Sequence, residues 1–286
     1  MSCLDGIKVI NLALNLPGPA AAQRLQALGA EVIKVEPPSG DPMATYSAAW
    51  YREMAGGQTR VVLDLKAPEG RAHLQALLAE ADLLITSFRP SALVRLGLDP
   101  DTLAAAHPDL CQVAIVGFPA PRAEEAGHDL TYQASMGLVA PPSLPRALLS
   151  DLAGAEQAIS AALALLLERA RTGKAGQATV ALSEAAEAFA APLRHGLTAP
   201  GALLGGGLPQ YSLYPTTDGW IAVAALEPHF KKKLEGLLQI STAEEYRRAF
   251  AAQTSAHWQA WGEANDVPVE TVRSTCLLYT SPSPRD

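Results

Sequence analysis

The chain has 286 residues, of which 49% are hydrophobic and 18% charged, and its formal net charge at pH 7 is −7. This composition is typical of a soluble globular protein with one large or two ordinary domains. The negative charge argues against general binding to nucleic acid or to an anionic membrane, so we expect neither as a partner. An anionic ligand would therefore be held by local arginine, lysine and backbone N–H groups.

The cysteines and the N-terminus narrow the class of protein further. Cys3, Cys111 and Cys276 are widely separated and form no CxxC pair. This spacing predicts neither a disulfide framework nor a zinc site, so we expect no bound metal. The N-terminus has no basic segment followed by an apolar run, and the longest apolar run, 161–167, is too short to span a bilayer. We expect a cytoplasmic protein.

Strand and helix patterns alternate through the first 120 residues. Helical patterns lie between apolar runs that predict buried strands at 8–14, 31–35, 60–65, 82–86 and 111–116. Strand–helix–strand units with short connections form parallel sheets. The sequence therefore predicts an α/β fold with an open parallel sheet.

The longest helical pattern follows this region. It covers 151–172, is apolar on nearly every face between 161 and 167, and has Gly173 as its predicted C-cap. Such a helix is expected to be buried in the core. A short strand pattern at 178–182 comes next.

The composition changes near residue 200. A stretch rich in glycine and proline at 200–207 predicts a linker. Beyond it, Asp218-Gly219 lies between strand-like runs at 211–215 and 220–225, which predicts a hairpin. We therefore divide the chain into a large domain (1–200), a linker with a small α+β domain (201–273), and a tail (274–286).

The tail, STCLLYTSPSPRD, follows no helix or strand period. The string resembles a translated sequencing adapter. We interpret it as non-native and assign it no function.

A histidine and a carboxylate are the candidate catalytic groups. Residues 127–132 read GHDLTY, and Asp151 lies at the start of the long helical pattern. Such a pair can take a proton from one face of a carbon and return it to the other. Each residue also has a structural interpretation, His128 as a loop histidine bonded to the backbone and Asp151 as a helix N-cap. Glu227, which precedes Pro228, is equally compatible with helix capping.

Candidate ligand-binding residues follow a predicted strand. Arg89, in the segment Ser-Phe-Arg-Pro, comes directly after the strand at 82–86, and Arg95 lies further along. Ligands of open sheets gather at the carboxyl ends of strands, and arginines there suit phosphates, although both arginines are equally compatible with solvated surface charges.

Glu36 ends the second strand, where an acid could hold a ribose. The first loop has no GxGxxG, however, which disfavours a dinucleotide cofactor.

Taken together, these segments resemble one family, the class III CoA-transferases (CaiB/BaiF), a superfamily that includes α-methylacyl-CoA racemase. The resemblance is carried by Asp151 and by segments in the same order along the chain: 4–42, 63–99, 126–138, 171–177 and 211–228.

The resemblance implies a Rossmann-like large domain without dinucleotide chemistry, a small domain, and an interlocked homodimer of the full-length protein. It implies an acyl-CoA substrate and no separate cofactor, because coenzyme A is part of the substrate. The chain resembles a C-terminally truncated member, since the family's chain returns from the small domain to the large one. The positions that the resemblance assigns to CoA binding are Leu65, Lys66, Arg89, Arg95, Gly127 and Tyr132.

The resemblance also implies the activity. Asp151 matches the family's catalytic aspartate, a covalent nucleophile in the transferases and a proton-transfer base in the racemases. His128, where transferases tend to carry an aromatic residue, and Glu227 resemble racemase positions. The expected reaction is epimerisation of 2-methyl branched acyl-CoA thioesters, with His128 and Asp151 on opposite sides of the α-carbon and Glu227 supporting the histidine. The alternatives are an acyl-CoA:carboxylate CoA-transferase with Asp151 as nucleophile, and a non-catalytic acyl-CoA-binding module.

Overall fold

The computed structural model describes residues 2–274. It divides into two compact units, Met1–Ala191 and Pro192–Asp286. The linker predicted at 200–207 lies inside the second unit, where Leu203–Gly207 forms an irregular turn. The predicted tail lies, after its first residue, outside the described residues.

A six-stranded sheet forms the centre of the first unit, with the strand order β3-β2-β1-β4-β5-β6. Every neighbouring pair is parallel, which confirms the predicted α/β fold with an open parallel sheet. The strands are β1 (Lys8–Asn11), β2 (Glu31–Glu36), β3 (Thr59–Val62), β4 (Leu83–Thr86), β5 (Cys111–Val116) and β6 (Gln177–Ala181).

Helices connect these strands, and four of them begin with proline. Proline suits the first helical position because its φ is preset and no N–H is lost there. The four are α1 (Pro17–Ala27), α4 (Pro68–Leu78), α5 (Pro90–Leu96) and α6 (Pro100–Ala106). The others are α2 (Met43–Tyr46), α3 (Ala48–Ala55), α7 (Asp129–Ser135), α8 (Leu149–Thr172) and α9 (Leu182–Phe189). Helix α10 (Ala191–Arg194) begins at the last residue of this unit.

Helix α8 is the core helix of the first unit. Its small and apolar residues, among them Ala158 and Ala162, pack in one cluster with Val113 and Ile115 of β5. The helix ends at Gly173 with φ 71°, as predicted. Its length and composition alone would suit a membrane span, but half of its most apolar stretch is buried within the protein. The prediction of a helix buried on nearly every face is therefore wrong: one face packs in the core, whereas Leu167 on another face is 60% exposed.

The strand order creates a crevice at one edge of the sheet. Chain connections leave β1 in one direction, towards β2 and β3, and β4 in the other, towards β5 and β6. At such a switch point the loops after the central strands diverge, and ligands bind between them. The loops after β1, β4 and β5 therefore define where a site can form.

The second unit is a small α+β structure. Its antiparallel sheet has the order β7 (Tyr211–Pro215), β8 (Trp220–Ala224) and β9 (Val269–Thr271). Thr216 N–H donates to the Gly219 carbonyl at 2.9 Å, which closes the predicted hairpin. The helices are α11 (Pro228–Leu238), α12 (Ala243–Phe250) and α13 (Ser255–Asn265). An aromatic cluster that includes Tyr214 and Trp258 forms the core of this unit.

Candidate active site

A cavity of about 250 Å³ opens at the carboxyl ends of β1, β4 and β5. Its wall comes from the loops after these strands and from the first turns of α7 and α8. Five of the predicted site residues line it: Arg89, Gly127, His128, Tyr132 and Asp151. The candidate acid/base pair, 23 positions apart in the chain, therefore faces one space.

His128 lies immediately before α7 and is exposed. Its backbone is fixed by Thr131, whose Oγ1 accepts the His128 N–H at 3.0 Å and donates to the His128 carbonyl at 2.7 Å. These contacts fix the backbone of His128, which is one of the residues that line the cavity.

Asp151 is the third residue of α8 and does not cap it. The N-cap position belongs to Leu148, which makes no side-chain capping hydrogen bond. Asp129 performs this function from α7, because its Oδ1 accepts the backbone N–H groups of Ser150 at 2.7 Å and of Asp151 at 3.2 Å. The interpretation of Asp151 as an N-cap is therefore wrong, and the residue lines the cavity.

The surroundings of Asp151 disfavour its charge. Burial, and secondarily the negative charge of Asp129, raise the pKa of Asp151 from 3.8 to about 7. A carboxyl group with this pKa exists in both protonation states at neutral pH, so it can donate or accept a proton. The pKa of Tyr132 is raised as well, by burial and then by Asp151 and Asp129, which keeps its hydroxyl protonated.

Tyr132 forms the floor of the cavity and is 2% exposed. Its ring meets Phe118 edge-on, with the centroids 5.2 Å apart. Two glycines, Gly117 and Gly127, lie against its phenol, and a Cβ atom at either position would collide with it. Gly127 is therefore needed to accommodate Tyr132. Gly117 has the same role and was not predicted, because no local pattern marks it.

The residues predicted to bind CoA do not all line the cavity. Arg89 stands at the N-cap of α5 and lines the cavity, whereas Arg95 lies in the last turn of α5 and is not part of the lining. Leu65 lines a separate hollow together with Arg71. The Arg71 guanidinium donates to the carbonyls of Leu65 at 3.3 Å and Lys66 at 2.8 Å, which fixes this loop.

A buried charge network, which the sequence did not reveal, supports the cavity loop. Asp41 accepts the Asn15 N–H at 3.0 Å and pairs with the Lys34 ammonium at 2.7 Å. Asn15 has a φ of 66°, which a non-glycine residue adopts only when its surroundings enforce it. Glu36 is 3% exposed and engaged by Lys34 and by the Tyr51 hydroxyl at 2.7 Å. Its carboxylate is thus not available to a ribose.

The loop from Gly117 to His128 carries further unpredicted contacts. Glu124 accepts the Ser91 N–H at 2.6 Å and the Ser91 hydroxyl at 2.9 Å, which ties the loop to the start of α5. Glu125, in the cavity wall, pairs with Arg122 at 2.7 Å. Arg122 in turn lies over the Phe118 ring, 4.1 Å from its centre.

Glu227 belongs to the second unit. It occupies the N-cap position of α11, its side chain makes no capping hydrogen bond, and it is exposed. Its catalytic role stays a prediction. Within residues 2–274, no group of three or more His, Cys, Asp or Glu side chains is arranged to hold a metal ion.

Comparison with known proteins identifies the family. Residues 4–284 match CoA-transferase family III. The succinate–glutarate CoA-transferase of Agrobacterium fabrum is 32% identical over 290 residues, covering 89% of this chain and 71% of that protein. The α-methylacyl-CoA racemase of Homo sapiens is 30% identical over 303 residues, covering 94% of this chain and 77% of that protein.

A solved structure agrees with the sequence relatives. The hypothetical protein Rv3272 from Mycobacterium tuberculosis superposes with a TM-score of 0.85 at 26% identity, covering 98% of this chain and 88% of that chain. The match to the family extends over nearly the whole sequence, and the relatives include both transferases and racemases at similar identity. This chain belongs to CoA-transferase family III.

Proposed function

We propose that the protein is an acyl-CoA racemase that epimerises the α-carbon of 2-methyl branched acyl-CoA thioesters. The observation that carries this proposal is that His128 and Asp151 line one cavity while the pKa of Asp151 is raised to about 7. Epimerisation requires one group that removes the α-proton and a second that supplies a proton to the opposite face. Both groups must change protonation state near neutral pH.

The reaction balances with these two residues alone. The carboxylate of Asp151 takes the α-proton, and the electron pair of the C–H bond moves into the thioester to form an enolate. The imidazolium of His128 then gives its proton to the other face of the α-carbon, and the enolate electrons return to the new C–H bond. In the reverse direction the two residues exchange roles.

The substrate class follows from the family and from the charge at the cavity rim. The names of the relatives refer to CoA transfer and to an acyl-CoA. Arg89 lies at the cavity wall, where its guanidinium is suited to a phosphate group of coenzyme A. Glu227, the interlocked homodimer and the cytoplasmic location stay predictions from the sequence.

A CoA-transferase is the second candidate, because transferases are as similar to this chain as racemases are. In that reaction the carboxylate of Asp151 attacks the thioester carbonyl, the C–S bond breaks and CoA leaves as its thiolate, so a mixed anhydride forms on Asp151. The CoA thiolate then attacks the aspartyl carbonyl and releases the donor carboxylate, which leaves CoA as a thioester on Asp151. The acceptor carboxylate displaces the thiolate to form a second anhydride, and the thiolate attacks the acceptor carbonyl, so that acceptor-CoA and the free Asp151 carboxylate are formed. Both reactions use the carboxylate form of Asp151, so the raised pKa does not distinguish them; the presence of His128 in the same cavity is what favours the racemase.

The decisive experiment is incubation with a (2R)-2-methylacyl-CoA in heavy water, with and without succinate, followed by NMR of the α-proton. We expect exchange and epimerisation without an acceptor acid. Transfer of CoA to succinate without exchange would identify a transferase instead. Binding without either reaction would identify the non-catalytic module. Asp151→Asn and His128→Ala are the matched variants, and the racemase requires that His128→Ala slow exchange from one enantiomer more than from the other.

A further inference from the structure

The N-terminus of α8 is held by a buried polar group from α7. Asp129 is 4% exposed, and its two carboxylate oxygens have different partners. Oδ1 accepts the N–H groups of Ser150 and Asp151, at 2.7 and 3.2 Å. Oδ2 accepts from Gln133 Nε2 at 2.6 Å. The carboxylate is therefore bonded on both sides within the core.

Gln133 extends the same network to the chain that enters α8. The side chain is 2% exposed, and its amide nitrogen also donates to the Ala147 carbonyl at 3.0 Å. Gln133 lies one turn after Asp129, so the two side chains share one face of α7. This face of α7 binds both the residues just before α8 and the first turn of α8. The Asp129–Gln133 pair thus determines where α8 begins.

We propose that Asp129 is a positioning residue for Asp151, because its buried carboxylate occupies the N–H groups at the start of α8 and leaves the Asp151 carboxyl to face the cavity. A carboxylate near a helix N-terminus normally bonds to those N–H groups itself. Here they are already taken, so Asp151 remains free to meet the substrate. The inference rests on the proposed function, since it assigns a role to a neighbour of the reacting group.

The charge of Asp129 adds a second effect. It lies behind the first turn of α8, and its negative charge disfavours ionisation of Asp151. The other titratable groups around Asp151 in the cavity wall are Arg89, Glu125, His128 and Tyr132. Asp129→Asn removes this charge and also the hydrogen bond from Gln133 Nε2, so a variant that removes only the Gln133 bond is needed to separate the two effects.

The test is a ¹³C NMR titration of protein labelled at aspartate Cγ, with Asp151→Asn used to assign the resonance. In wild type we expect the Asp151 carboxyl to titrate at a pKa of about 7. In Asp129→Asn we expect this pKa to fall by about one unit or more. The pH profile of catalysis should move by the same amount, and the rate should fall about tenfold or more because the first turn of α8 is less well fixed.

Gln133→Leu is the matched variant, since it removes the hydrogen bonds to Asp129 and Ala147 but keeps the charge of Asp129. We expect a reduced rate with an unchanged Asp151 titration. An Asp151 pKa in Asp129→Asn equal to that of wild type would overturn the proposal. If Asp129→Asn does not fold, a Gln133→Leu protein with the wild-type rate and the wild-type Asp151 chemical shift would overturn it. A wild type that catalyses neither exchange nor transfer refutes the proposed function, while the titration still tests the role of Asp129.

Discussion

The phenol of Tyr132 occupies the space in which a side chain at residue 127 would begin. A Cβ atom at Gly127 would lie 2.6 Å from the Tyr132 hydroxyl oxygen, far inside van der Waals contact. Tyr132 is buried and meets Phe118 edge-on, so a Cβ atom at residue 127 would have to push the phenol out of this packing and into the cavity. The glycine before the candidate catalytic histidine is thus required by packing in the cavity floor.

Gly127→Ala should destabilise the protein by about 1–3 kcal/mol, because the new methyl group overpacks the cavity floor. Activity should fall as well, since Tyr132 and His128 would be displaced. Urea unfolding and the exchange assay measure the two effects. Gly236→Ala is the control: it lies in α11 with nothing within 4 Å of the new Cβ, and it should stabilise by about 0.5–1 kcal/mol. Equal stabilities of Gly127→Ala and wild type would contradict the packing argument.

The stability of the protein should depend on pH through Asp151. Its pKa is about 7 in the folded protein and 3.8 in the unfolded reference, so between these values the folded state binds more protons. The free energy of unfolding therefore falls as pH rises from about 4 to about 7, by about 2–4 kcal/mol from this residue. Below pH 4 the residue is protonated in both the folded and the unfolded state, so it does not lower the free energy of unfolding.

Asp151→Asn should remove the loss of stability that burial of the Asp151 carboxylate causes above pH 4, because the amide remains neutral at every pH. We expect the variant to be as stable as wild type at pH 4 and more stable at pH 8, measured by urea unfolding at both pH values. Asp101→Asn, at an exposed carboxylate of α6, is the control and should show no such gain at pH 8. An Asp151→Asn protein that loses stability at pH 8 would contradict the desolvation of this carboxyl.

The buried pair of Lys34 and Asp41 should be essential to the fold. The side-chain exposures are 2% and 0%, and the two charged groups are 2.7 Å apart. Lys34→Met leaves the Asp41 charge buried without its ammonium partner, which costs about 3–5 kcal/mol. Arg247→Ala is the comparison, because it breaks an exposed pair with Glu244 and should cost no more than about 1 kcal/mol. Chemical unfolding of both variants tests this difference, and equal losses would count against it.

Arg89 and Arg95 should differ in their effect on substrate binding. Arg89→Ala should raise KM for an acyl-CoA about 10- to 100-fold, because a charge-assisted bond to phosphate is lost. Arg95→Ala should have a smaller effect, since Arg95 does not line the cavity. The phosphate-free acyl-pantetheine thioester is the matched substrate, and its KM should not respond to Arg89→Ala. A similar rise with both substrates would mean that Arg89 does not contact phosphate.

Most of the fold could be predicted from the sequence. Apolar strand runs separated by helices predicted a parallel sheet, and Asp218-Gly219 predicted the hairpin between β7 and β8, because both depend on local periodicity and turn chemistry. The short helix α6 and the last helix, α13, were not predicted. Their length or mixed composition gives a weak periodic signal, and their position is fixed by packing.

The candidate site could be predicted from the sequence only in part. The residue types of the acid/base pair, His128 and Asp151, could be chosen from the sequence and from its family resemblance. Only the tertiary structure decided that they face one cavity, that Asp129 rather than Asp151 caps α8, and that burial, with the charge of Asp129, raises the pKa of Asp151 to about 7. The physical reason is that burial and hydrogen bonds between residues 22 positions apart depend on how α7 packs against α8, which no local pattern specifies.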